Sequence, residues 1–102
     1  MNSIIRCYTA KNIHDLHPEW YKCEVDRLWI TELDQDEIES SELNCWICEV
    51  LRVLDNELGA EIWAAQVAVF ISATNMNRPL IIESDTLALI VDVKGKLELF
   101  SE

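Results

Sequence analysis

The stretch Ser40 to Ser72, SSELNCWICEVLRVLDNELGAEIWAAQVAVFIS, decides how this chain folds, because no other segment is both long enough and apolar enough to build a core. Carried round at about 100° per residue, Leu43, Trp46, Ile47, Val50, Leu51, Val53, Leu54 and Leu58 fall on one broad face. Asn44, Cys45, Cys48, Glu49, Arg52, Asp55 and Asn56 read as the opposite, polar face. The pattern is that of an amphipathic helix starting near Glu42, capped by Ser40 or Ser41, and running to Leu58 or Gly59. If that helix continued, Glu61 would enter its apolar face, so the phase breaks between Asp55 and Gly59, where a glycine takes the left-handed cap. A second helix is expected from Ala60 to about Ala73. It is apolar almost all round and should be the most buried, with Trp63 and Phe70 held between helix and sheet.

Outward from this stretch the pattern turns to strands. Ser3 to Tyr8, with Ile4 and Ile5 β-branched, predicts a first strand, and Glu24 to Leu33 a second by alternation. Between them Thr9 to Cys23 reads as a connection in which Pro18 ends any helical turn. Asp34 to Ser41 reads as an acidic loop. Past Pro79, the runs Leu80 to Glu83, Thr86 to Val93 and Lys96 to Phe100 suggest a meander, with Lys94-Gly95 as a hairpin turn. The order β-β-α-α-β-β-β, without alternating βαβ units, predicts an α+β two-layer domain: a mainly antiparallel sheet of about five strands packed on two helices. The second face of that sheet is also partly apolar, which suggests a cover or a partner.

A chain of 102 residues buries one core, so residues 1–102 are expected to form a single domain. Half of the residues are apolar and four are tryptophan, which excludes disorder. The apolar runs fall far short of the ~20 residues that cross a bilayer, and MNSIIRCY lacks the succession of a signal peptide. The expected compartment is the cytoplasm, and the four cysteines are expected as thiols.

Cys45 and Cys48 form a C-x-x-C inside the helix. A redox role would need the pair at a first helical turn directly after a strand, without acids such as Glu42 and Glu49 beside it. Ordinary packing on a helix flank accounts for both. A zinc site would recruit Cys45 and Cys48 with His14 and His17, or with Cys23 or Cys7, but the spacing matches known zinc sites only loosely. No triad succession stands out, and two glycines leave no phosphate-cradling loop. No enzyme activity and no cofactor are expected.

Charge carries more information. Nineteen acids against eight bases give −11, a field that repels nucleic acid and anionic membranes and attracts basic proteins. From Thr31 to Glu61 stand ten acids (Glu32, Asp34, Asp36, Glu37, Glu39, Glu42, Glu49, Asp55, Glu57, Glu61) and one base, Arg52, a net of −9. The leading expectation is a non-enzymatic binding protein of the immunity-protein or phage-encoded decoy type, which sequesters a basic partner such as a nuclease toxin or a nucleic-acid-binding protein. Its expected contact residues are Glu32, Asp34, Asp36, Glu37, Glu39, Glu42 and Glu49, with Trp29, or Trp20, as a desolvated anchor. The alternatives are a thiol or zinc protein built on Cys45 and Cys48, and a structural subunit that forms a homo-oligomer through its sheet.

Overall fold

Alternation in the first strand defines the two faces of the sheet. In β1, Asn2–Tyr8, the side chains of Ser3, Ile5 and Cys7 are buried while Ile4, Arg6 and Tyr8 are half-buried, the period of two that a pleated strand imposes. The computed structural model describes residues 2–13, 20–22, 27–34, 39–72 and 80–100. After β1 come β2 (Tyr21–Lys22), β3 (Leu28–Asp34), α1 (Ser40–Leu58), a 3-10 turn (Gly59–Ala64), β4 (Ala68–Ser72), α2 (Ser84–Asp92) and β5 (Lys96–Phe100). The strands form one sheet in the order β2-β3-β1-β4-β5. Pairs β2·β3, β3·β1 and β1·β4 are antiparallel and β4·β5 is parallel, so the sheet expected to be mainly antiparallel is mixed.

The architecture is α+β in two layers. Leu43, Ile47, Val50, Leu51, Leu54 and Leu58 of α1, with Ile90 and Val93 from the α2 end, share one core with Ile5, Cys7, Trp29, Val69 and Ile71 of the sheet. Both helices therefore cover the face that carries Ser3, Ile5 and Cys7. Thr31 lies opposite Ile5 and Val69 opposite Ile5 on the other side, which sets the same face in register across three strands.

Two segments exchange their expected roles. Residues 60–73 do not form a second helix: Gly59–Ala64 makes a 3-10 turn and Ala68–Ser72 a strand. Val67, Val69 and Ile71 are buried while Ala68 and Phe70 are half-buried, a period of two. A short, nearly continuous apolar run fits a buried helix or an interior strand equally well by periodicity, and β4 is interior, with β1 on one side and β5 on the other. Conversely Thr86 to Val93 is helical. Its buried side chains, Thr86, Ile90 and Val93, recur at steps of four and three, whereas Leu87 and Val91, which mimic alternation, are exposed. Leu80 to Glu83 leads into α2 without strand structure.

Lys94-Gly95 makes no hairpin. Gly95 donates its N–H to Ile90 O (2.8 Å) and Lys94 to Val91 O (2.9 Å), the paired bonds that close a helix C-terminus with Lys94 at φ 51°. A Cβ on Gly95 would stand 3.3 Å from Ile90 O and Val93 Cγ2, so a side chain in this tight return into β5 would push its neighbours back by a few tenths of an ångström. The observed order is thus β-β-β-α-β-α-β, with α2 as the crossover that a parallel β4·β5 pair needs. At the other end of α1 the expected break is present: Gly59 has φ 54°.

Trp63, expected in the core, is 61% exposed. Its indole N–H donates to Asp92 O (3.3 Å) at the C-terminus of α2, and the Lys94 ammonium lies 4.2 Å from its ring centroid. The residue supplies a partner for an end-of-helix carbonyl. Phe70 is half-buried on the face away from the helices, under the Arg6 guanidinium (4.1 Å to centroid).

Candidate functional site

Three of the expected contact acids stand at element ends, one at the end of β3 and two at the start of α1. Asp34 is the last residue of β3 and is exposed. Glu39 occupies the N-cap position of α1, its carbonyl accepting the N–H groups of Glu42 (3.0 Å) and Leu43 (3.1 Å), while its side chain caps nothing. Glu42 sits in the first turn, where the positive end of the helix dipole stabilises carboxylates. Asp36 and Glu37, the other expected contact acids of this stretch, lie outside the described residues.

The remaining acids diverge from this rim. Glu32 is paired with Ile4, so it projects from the sheet face away from the helices, where the Tyr21 hydroxyl donates to its Oε1. Glu49 is exposed on α1, on the outer side of the helix layer, two turns beyond Glu42. Glu32 and Glu49 therefore point from opposite surfaces of a two-layer molecule, and one flat partner surface cannot meet both.

Neither expected aromatic anchor is at the surface. Trp29 is 5% exposed, its indole N–H donating to Thr9 O (3.3 Å) and Lys22 lying 5.9 Å from its ring; Trp20 is 1% exposed. Trp29 aligns with Cys7 on the helix-covered face and is a core residue. The exposed aromatic beside an acid is Tyr21, which extended alternation through Glu32 would have flagged had β2 been read as a strand.

The residue most underestimated from sequence is Asn44. Grouped with the polar face, it is only 2% exposed and makes four hydrogen bonds. Its Nδ2 donates to Ser40 O and Ile81 O (2.7 Å each), and its Oδ1 accepts from Glu83 N (2.9 Å) and Thr86 Oγ1 (2.7 Å). Ser40 Oγ adds a bond from Ile81 N (3.1 Å). One amide thus satisfies the segment entering α2 and ties it to α1. The signal was present: at 100° per residue Asn44 falls about 20° from Leu51, inside the buried arc.

The C-x-x-C residues have different surroundings. Cys45 is exposed, whereas Cys48 is half-buried with its Sγ 3.5 Å from Thr86 Oγ1, and both are free thiols. Among the described residues no three His, Cys, Asp or Glu side chains converge as a metal site requires. His14, His17 and Cys23 lie outside those residues. At the end of β1 opposite to the acidic rim, an open cleft of about 450 Å³ is lined by Tyr8, Thr9, Ala10, Lys11, Arg27, Glu61, Ala64, Ala65 and Gln66. Lys11 is engaged there with Glu57, donating to its carbonyl and pairing with its carboxylate at 3.8 Å.

No family model, curated protein or solved structure matches this chain. Among the described residues no helix is long and apolar enough to cross a membrane.

Cys7 behaves as a core side chain. Fully buried in β1, its thiol is pushed by desolvation up to about 12. In the unfolded chain a thiol titrates near ~8.5. As pH rises past that value the unfolded chain releases a proton that the folded chain keeps, so stability falls until the folded thiol itself titrates. Between pH 8 and 10 urea melts should show wild type losing about 2 kcal/mol more than Cys7→Ala. Equal losses would mean that Cys7 ionises in place.

Proposed function

We propose that this chain is a non-enzymatic binding protein that sequesters a basic protein in the cytoplasm, in the manner of an immunity protein or a phage-encoded inhibitor. The partner class is a nuclease toxin or another nucleic-acid-binding protein, whose cationic groove the acids occupy in place of phosphates. The supporting observation is the exposed carboxylate rim at Asp34, Glu39 and Glu42, within a segment that carries a single base. Clustered carboxylates of this kind raise association rates by steering the encounter, and the effect fades with ionic strength. Glu32 with Tyr21 on the sheet face and Glu49 on the outer side of α1 flank the rim on opposite surfaces, so a partner engages the rim together with one flank or the other.

The test is a variant with Asp34→Asn, Asp36→Asn, Glu37→Gln and Glu39→Gln. Exposed charges contribute little to stability, so its melting temperature should match wild type. The association rate with the basic partner recovered from the native host should fall by about tenfold at low salt, and its salt dependence should flatten. Equal on-rates for variant and wild type at low salt would leave the acids as a solubilising surface only.

A further inference from the structure

Beyond the acidic rim, the outer edge of the sheet carries a second interaction surface. β5 is the end strand, and among the described residues nothing pairs with its outer side. Lys96 donates its N–H to Val67 O (3.0 Å). In a parallel ladder alternate residues turn both main-chain groups to the same neighbour. Lys96, Glu98 and Phe100 therefore face β4, and Leu97 and Leu99 present their N–H and C=O groups outward. The side chains of this edge stay accessible: Lys96 is 70% and Glu98 50% exposed while pairing within the chain at 3.8 Å, and Leu99 is 55% exposed. α2, packed on the same face of the sheet as Leu99, leaves Leu87 and Val91 exposed as well.

We propose that β5 pairs antiparallel with β5 of a second copy of this chain, across a twofold axis at Leu97, to make one continuous sheet. Charge chooses both the occupant and the register. With Leu97 opposite its own copy, Lys96 meets Glu98 of the second copy, and Glu98 meets its Lys96. These are non-hydrogen-bonded positions, where side chains approach most closely and opposite charges stabilise the pair. A register centred on Glu98 would set Glu98 against Glu98 and leave Lys96 facing Phe100. The twofold at Leu97 also matches the main chain. The two Leu97 residues exchange a pair of N–H···O bonds, and each Leu99 N–H reaches the carbonyl of the other copy's Gly95. Gly95 has no side chain to obstruct Leu99, and its own N–H is already committed to Ile90 O. The surface is distinct from the acidic rim, so the two readings stand or fall separately.

Sedimentation equilibrium over about 1–500 µM at moderate salt tests the pairing. Wild type should tend to twice the 11.8 kDa chain mass as concentration rises. Lys96→Glu and Glu98→Lys, each of which sets like charges across the twofold at two positions, should each weaken the dimer by about tenfold or more. The double swap Lys96→Glu/Glu98→Lys should restore it. Leu99→Pro removes an N–H that β4 does not use and should leave a monomer with a wild-type circular dichroism spectrum. A wild type that remains monomeric at the highest concentration, or a dimer indifferent to the single swaps, overturns the proposal.

Discussion

Asn44→Ala is expected to lower the unfolding free energy by about 2–4 kcal/mol, because a buried partner left unsatisfied costs roughly 1–3 kcal/mol and a partly buried one less. The loss falls on the buried Thr86 hydroxyl and on Ile81 O and Glu83 N–H, which belong to an exposed segment entering α2 and meet Asn44 at its inner side. For a domain of ordinary stability that is a large fraction of the total. Asn44→Asp should not rescue, since the position must donate two bonds as well as accept two. Thr86→Val removes one donor while Oδ1 keeps Glu83 N–H, and should cost about 1 kcal/mol. Urea denaturation of the three variants gives the ranking. A cost below ~1 kcal/mol for Asn44→Ala would show that water replaces the amide and that the α1–α2 junction opens in solution.

Leu51→Ala should rank beside it, at about 2–5 kcal/mol, by transfer of the side chain plus the cavity it leaves. Leu51 is fully buried in the middle of α1, within the core shared by helix and sheet. Trp63→Ala is the informative contrast. Although it deletes the largest side chain type, the ring is mostly in water, and the loss is limited to one carbonyl bond and the Lys94 contact, about 1 kcal/mol in all. Chemical denaturation should separate the two variants clearly. If Trp63→Ala proved the costlier, the 3-10 turn after α1 would be the real centre of the core.

The concentration of acids from Thr31 to Glu61, the amphipathic α1 and the break at Gly59 were all legible in the chain itself, because each rests on local properties. Charge density is a matter of composition, a 3.6-residue stripe survives wherever the helix docks, and a glycine at φ 54° relieves a backbone constraint that no distant contact alters. The first strand was legible for the same reason, from the local preference of its β-branched Ile4 and Ile5 for the extended backbone.

What the tertiary structure alone decided are the features in which an element's neighbours define its pattern. Residues 68–72 become a strand because β1 and β5 supply their hydrogen bonds, and residues 84–92 a helix because a parallel pair needs a crossover between its strands. Trp29 and Trp63 part ways on placement: Trp29 lies opposite Cys7 on the helix-covered face, and Trp63 lies on the 3-10 turn after α1 with its indole against the end of α2. Asn44 looks polar and local until Ile81, Glu83 and Thr86 arrive from about forty residues away to share its amide. Hydrophobic pattern specifies which residues seek cover, but which partner supplies it, and from which face, is a property of the assembled sheet.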